Sequence, residues 1–339
     1  MSLLEIESLR IEFPGEDEER LVAVKGVDLA VEQGEVVGLV GESGSGKSLT
    51  CRAVMRMVPE PGAISAGSIR FDGEDVLSLG TSELRDFRAH SVGMIYQNPF
   101  GSLNPTMRAG AQIAETLKVN RGLSNKAAKV ESVALLDRVG IEDPERRYRA
   151  YPHELSGGMC QRVMIAIATA SSPRLMLADE PTTALDVTTQ AQILKLLAKM
   201  RAEEGMAMLL VSHDFGVIAQ ACDRVAVMYG GHIVETGPVE TIYHEPEHPY
   251  TRALLNSVPE LDSAGNVQRR AALAGHPPEL SDFIPGCVFA PRCEHAKQDC
   301  AGIEMKLEKV GADQESACPV RPYAEAGARS AERAARVEA

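Results

Sequence analysis

Gly41-Glu42-Ser43-Gly44-Ser45-Gly46-Lys47-Ser48 fits G-x-x-x-x-G-K-[ST] at every fixed position. It follows an apolar run, Val36-Val37-Gly38-Leu39-Val40, and precedes a helix-like stretch from Ser48 to Met57. That is the strand–loop–helix context the motif needs. Glycines let backbone N–H groups turn inward on a phosphate, and a helix N-terminus adds partial positive charge. Lys47 would then reach the β- and γ-phosphates of a nucleotide, and the Ser48 hydroxyl would ligate Mg²⁺.

Leu175-Met176-Leu177-Ala178-Asp179-Glu180 reads as a buried parallel strand that delivers two carboxylates at its C-terminal edge. Asp179 would hold Mg²⁺ and Glu180 would polarise an attacking water. Between these motifs lies Leu155-Ser156-Gly157-Gly158-Met159-Cys160-Gln161. Its hydroxyl and two bare backbone amides open an expected helix from Gly158 to Ala170, a second anion cradle without a lysine.

The order of these parts resembles the ATP-binding cassette (ABC) family over roughly residues 1 to 240. Gly41–Ser48 is similar to its Walker A motif, Leu155–Gln161 to its signature and Leu175–Glu180 to its Walker B motif. Gln97, in Met94-Ile95-Tyr96-Gln97-Asn98-Pro99, resembles the Q-loop glutamine. Ala184-Leu185-Asp186 resembles the D-loop, and His213 the switch histidine.

The resemblance implies two cassettes packed head to tail, each ATP lying between Walker A of one chain and the signature of the other. ATP contacts are then expected at Ser43, Gly44, Ser45, Gly46, Lys47, Ser48 and Leu49. Ser156, Gly157, Gly158 and Gln161 would face the partner's ATP, and Asp186 would reach across the dimer. Ser48, Gln97 and Asp179 would hold Mg²⁺, and Glu180, His213 and Gln97 would form the catalytic set. Phe13, closing the alternating stretch Leu9–Phe13, is the candidate for stacking on adenine; the rival reading is a half-buried strand residue. At position 160 the family usually has a long polar residue, so Cys160 puts in doubt any polar contact made there.

The 339 residues suffice for more than one domain, and 44% apolar content suffices for a core. A net charge of −13 argues against nucleic acid as a partner through overall charge. No apolar run approaches the ~18–20 residues needed to span a bilayer. Met1-Ser2-Leu3-Leu4-Glu5 lacks the features of a secretion signal. The chain is therefore expected in the cytoplasm, peripheral to the membrane, with any membrane-spanning parts on other chains.

Residues 3 to 40 read as strands broken by the acidic turn Gly15–Glu19, with further strands at Ser68–Phe71 and Val92–Tyr96. From Met107 to Gly140, Ile113, Leu117, Val130, Val133, Ala134, Leu136 and Val139 recur at helical spacing, a helical insert. In ABC proteins such an insert sits near the transmembrane partner, which makes the loop Phe100–Pro105 a docking candidate. Strand and helix alternate again to Tyr229, and no repeat occurs. A Pro- and His-rich stretch begins near Gly237, and Ala324–Ala339 reads as a frayed helix or a disordered tail.

Cys51, Cys160 and Cys222 read as buried small residues. Cys287, Cys293, Cys300 and Cys318 cluster instead, with spacing C-x5-C-x6-C-x17-C. A reducing compartment disfavours disulfides. The missing tight C-x2–4-C pair disfavours Zn²⁺, which stays as the alternative to a Cys₄-ligated [4Fe–4S] cluster. His248–Leu255 followed by Gly286-Cys287 resembles the C-terminal extension of ATPase subunits of oligopeptide and dipeptide importers, with nickel and glutathione importers as relatives. That resemblance implies a four-cysteine [4Fe–4S] site at these positions, bracing the extension.

The expected fold is α/β: a P-loop nucleotide-binding core with an antiparallel β subdomain and a helical signature subdomain (1–236), then the extension (237–322) and a tail (323–339). The implied function is ATP hydrolysis powering uptake of di- or oligopeptides, or a related small solute, through two separate permease subunits. The implied partners are a second ABC ATPase, in a paralogous heterodimer or a homodimer, and indirectly an extracytoplasmic solute-binding protein. The alternative is a soluble ABC ATPase without a permease, acting in translation, on DNA or in Fe–S assembly.

Overall fold

The structure is a computed structural model that describes residues 2–16, 19–183, 185–257, 260–261, 267–268, 273–282 and 284–323. Asp17 and Glu18 of the acidic turn, Ala184 and the expected tail beyond Tyr323 lie outside the described residues. In chain order the first elements are β1 (Ser2–Pro14), β2 (Arg20–Glu32), β3 (Val36–Val40), α1 (Lys47–Val54), β4 (Ala63–Phe71), β5 (Glu74–Asp75), α2 (Thr81–His90) and β6 (Val92–Ile95). There follow α3 (Pro99–Ser102), α4 (Ala109–Arg121), α5 (Asn125–Arg138), α6 (Pro144–Arg147), α7 (Gly157–Thr169), β7 (Leu175–Asp179), α8 (Val187–Glu204) and β8 (Ala207–Ser212). The remainder is α9 (Phe215–Ala221), β9 (Arg224–Tyr229), β10 (His232–Pro238), α10 (Val239–His244), α11 (Pro249–Asn256), β11 (Glu260–Leu261), β12 (Val267–Gln268), β13 (Glu308–Lys309) and β14 (Glu315–Ser316).

Two compact units are present, residues 2–4, 30–36 and 70–211 in one, and 5–29, 37–69 and 212–323 in the other. In the first, β6, β7 and β8 run parallel, with Met94 opposite Leu177 and Leu177 opposite Leu209. β7 and β8 are buried along their whole length, as continuous apolar runs in a parallel sheet must be. Helix α7 packs on β6, and α3, α4 and α5 pack on α7.

The expected helical insert is two helices. Gly122, at φ +64°, ends α4, and the Ser124 side chain accepts the Ala127 N–H to start α5. The apolar spacing also misplaced the buried face of α5. Ala128, Ser132, Leu135 and Leu136 are buried, whereas Val130 is 66% exposed. Ser132 can lie inside because its hydroxyl donates to Ala128 O. Phe100–Pro105 is not wholly a loop, because Pro99 and an Asn98 cap start the short helix α3.

In the second unit, β1 lies between β2 and β4, and β3 pairs in parallel with β9. β10 turns back antiparallel on β9, and β14 of the C-terminal region adds to the other edge of β10, Glu235 opposite Ser316. The extension thus returns near its end as an added strand on β10. Cys51 and Cys160 are buried as expected, but Cys222 is only half-buried.

Candidate functional site

The phosphate-loop residues lie in the second unit. Strand β3, buried throughout, ends at Gly41. A Cβ on Gly41 would sit 2.0 Å from Met228 O, and one on Gly46 would sit 2.9 Å from Ala23 O. Gly46 also takes φ +104°, so neither packing nor backbone admits a side chain there. The loop closes around Lys47, whose Nζ donates to Gly41 O (2.7 Å), Glu42 O (2.8 Å) and Ser45 Oγ (3.3 Å). Helix α1 starts at Lys47 with Gly46 as its N-cap and no side chain capping its first amides. Bare amides and a lysine at one helix start make an anion cradle. Ser43 and Gly44 are exposed, while Ser48 and Leu49 are half-buried.

The acidic residues lie in the first unit. Asp179 is fully buried at the end of β7. Glu180 follows at φ +49°, a left-handed conformation costly for a non-glycine residue, and its N–H donates to Val211 O at 3.0 Å. Its Oε2 accepts from Gln97 Nε2 and from Thr183 Oγ1, both at 2.8 Å. Gln97 and Glu180, 83 residues apart, are therefore in direct contact. Thr183 was not recognised in the sequence; its position three residues after Glu180 is the only signal that could have found it.

In the same unit the signature segment starts α7. Ser156 caps the helix by accepting the Met159 N–H, and it is exposed. A Cβ on Gly158 would meet Thr189 Cγ2 at 2.9 Å, so only glycine lets α7 approach the start of α8 this closely. Asp186 caps α8 through the Thr189 N–H and hydroxyl, bonds that hold its carboxyl below the usual range. Gln161 does not share the exposure of Ser156: it is 1% exposed and its Nε2 has no hydrogen-bond partner. Cys160 also points inward, with Sγ donating to Pro152 O at 3.4 Å and burial pushing its thiol up to about 11.

His213 is exposed just after β8. Phe13 is half-buried at the end of β1, its ring so close to Gly62 that a Cβ there would lie 2.5 Å away. It lines a cavity of about 320 Å³ with Glu12, Arg20 and Pro61. Cys287, Cys293, Cys300 and Cys318 line one narrow cavity with His248 and Phe289.

Residues 24–183 match the family described as ABC transporter, and residues 234–300 match the oligopeptide/dipeptide transporter, C-terminal region. The chain is 46% identical to the dipeptide transport ATP-binding protein DppD of Haemophilus influenzae over 311 residues, 92% of this chain and 93% of that one. It is 44% identical to the protein of the same name from Escherichia coli over 318 residues, 94% and 96% of the two chains. The chain belongs to the ABC transporter ATP-binding family. Among solved structures, a dimeric ATP-binding cassette in a post-hydrolysis state with ADP and phosphate bound aligns with TM-score 0.63 and 28% identity. That alignment covers 70% of this chain and 98% of the other.

This ABC ATPase hydrolyses ATP, and side chains are excluded at Gly41 and Gly46 because the loop packs closely on Met228 and Ala23. The expected metal site is a different matter. Among the described residues no group of three or more His, Cys, Asp or Glu side chains is arranged to hold a metal ion. Neither the expected [4Fe–4S] site at Cys287, Cys293, Cys300 and Cys318 nor its Zn²⁺ alternative is therefore supported by the arrangement of the described side chains. What the fold supplies is four free thiols on one cavity. Burial pushes Cys287 up to about 11 and raises Cys293 and Cys318, so thiolate ligation there would need a bound cation to offset desolvation.

Proposed function

We propose that this ABC ATPase powers import of dipeptides or oligopeptides through two separate permease subunits, with an external solute-binding protein delivering the cargo. The observation that carries this reading is the C-terminal region matched over 234–300, which continues from β10 and is tied back to it where Glu247 N–H and His248 N–H donate to the Glu235 side chain. A soluble ABC ATPase acting without a permease leaves that region without a task. Among the described residues no helix is long and apolar enough to cross a membrane, which fits a peripheral chain at the cytoplasmic face. The proposed organisation is a cassette at 1–236, the extension at 237–322 and a tail at 323–339, working as a dimer with a paralogous chain or a second copy.

In this reading Ser43 to Leu49 bind the phosphates and Phe13 stacks on adenine. Ser48, Gln97 and Asp179 are the residues assigned to Mg²⁺, which when bound neutralises charge on the β- and γ-phosphates. Glu180 accepts a proton from water as its oxygen attacks the γ-phosphorus, and the bond to the ADP oxygen breaks. Gln97 and Thr183 orient Glu180, His213 contacts the γ-phosphate, and Ser156, Gly157 and Gly158 face the partner's ATP. Gln161, buried, supports α7 from within.

Glu180→Gln tests the central assignment: kcat should fall by about 10²-fold or more while ATP binding is kept. Normal turnover would remove Glu180 from this role. Mild-detergent purification of the tagged chain tests the partners, which should include two polytopic chains and a second cassette. Ribosomes or repair factors alone would favour the soluble reading.

The four cysteines are proposed to ligate a [4Fe–4S] cluster that braces the extension, supported by their common cavity. Anaerobic purification should yield iron and acid-labile sulfide; zinc without iron would refute the cluster.

A further inference from the structure

Glu42 is a carboxylate inside the phosphate loop, next to where a polyanion must lie. Left alone it would repel the triphosphate. The second unit holds it at all three of its polar groups. Arg292 grips the side chain in a fork, Nη1 donating to Oε2 at 2.6 Å and Nη2 to Oε1 at 3.1 Å. The Glu42 N–H donates to Tyr250 Oη at 2.8 Å, and Lys47 Nζ donates to the Glu42 carbonyl. Arg292 is itself fixed: its side chain is 7% exposed, and it also donates to Tyr229 Oη (3.1 Å) and Ala274 O (2.9 Å).

Both grips come from the C-terminal extension. Arg292 ends a 3₁₀ turn immediately before Cys293, and Tyr250 stands in α11. The rings of Tyr229, Tyr250 and Phe289 pack on one another with centroids 4.5 to 5.4 Å apart, which stiffens the support. The contact between Arg292 and Glu42 spans 250 residues of sequence.

We propose that Arg292 and Tyr250 are positioning residues for ATP. They hold and neutralise Glu42 so that the phosphate loop accepts a polyanion, and ATP affinity thereby depends on the folded extension. This rests on assigning Gly41–Ser48 to the phosphates of ATP.

The test is equilibrium binding of a non-hydrolysable ATP analogue to the full-length chain, with steady-state ATPase rates and thermal unfolding measured beside it. Arg292→Ala should raise Kd on the order of ten-fold, the scale of a lost charge-assisted contact, and should raise KM more than it lowers kcat. Adding Glu42→Gln to Arg292→Ala should return Kd to within about three-fold of wild type, because the uncompensated charge is gone. A merely structural arginine would lower the unfolding temperature in both variants and show no such rescue. Tyr250→Phe, which deletes only the hydroxyl, should weaken binding about three-fold and covers the case in which Arg292→Ala does not fold. Kd values within two-fold of wild type for Arg292→Ala and Tyr250→Phe, or absence of rescue by Glu42→Gln, overturn the proposal. Lys47→Ala separates the two readings: full affinity in that variant would refute the loop assignment itself, whatever Arg292 does.

Discussion

Lys47 and Glu235 are both buried charges, at 4% and 0% exposure, and they are held in opposite ways. The ammonium of Lys47 finds its oxygens two, five and six residues away, all inside one loop. The carboxylate of Glu235 accepts from the N–H groups of Glu247 and His248, 12 and 13 residues on, and from Gln314 Nε2, 79 residues on. The first arrangement is written in eight consecutive residues, the ones proposed to bind the phosphates of ATP. The second joins β10 to two parts of the extension and holds the chain together. Burial of a charge thus marks a binding site in one region and a clasp in the other, and its partners, not its burial, tell the two apart.

The sharpest break in that comparison comes from exchanging the readouts. Lys47→Ala should weaken ATP binding by about 10²-fold or more, since a lysine facing a triphosphate is lost, with a stability change within about 1 kcal/mol. Glu235→Ala should do the reverse. It removes the acceptor of three donors, of which His248 N–H is buried, Glu247 N–H part-buried and Gln314 Nε2 keeps Glu245 O, so unfolding free energy should fall by about 2 kcal/mol. ATP affinity should stay within about three-fold. Analogue titration and thermal unfolding on both variants check this, and a Glu235→Ala protein of normal stability would dissolve the clasp.

The same contrast explains how far the sequence could be read. The phosphate loop, the acidic strand and α7 are local, so spacing and family resemblance found them, and strand and helix limits came within a few residues. The Gln97–Glu180 contact crosses 83 residues and was reachable only through the family pattern. Arg292 on Glu42 was not reachable at all, because nothing in a 3₁₀ turn near the C-terminus signals a partner in the phosphate loop. The inward turn of Gln161 escaped for another reason. Its side chain follows the phase of α7, set by its packing on β6, whereas the motif alone suggested an outward surface. The break between α4 and α5 was carried by Gly122 and Ser124, capping signals that an apolar count ignores.

Strand β10 offers the finest test, because two of its residues, His232 and Glu235, shift in opposite directions. Burial raises the Glu235 carboxyl, so the folded chain favours its neutral form, and stability from this group declines as pH rises above about 4.5. Burial, helped by the nearby positive charges of Lys25 and Arg10, lowers His232 to about 4. There the folded chain favours neutral imidazole, while the unfolded chain takes up a proton near pH 6.5. Stability from His232 is therefore complete above about pH 6.5 and is lost as pH falls toward 4. Replacing it should flatten only the acid side. His232→Asn should lose about 1 kcal/mol less than wild type on going from pH 7 to pH 5, a difference of a few degrees in Tm. An unchanged acid slope would mean that the His232 ring takes up its proton without penalty, leaving the clasp at Glu235 as the only pH-sensitive part of this strand.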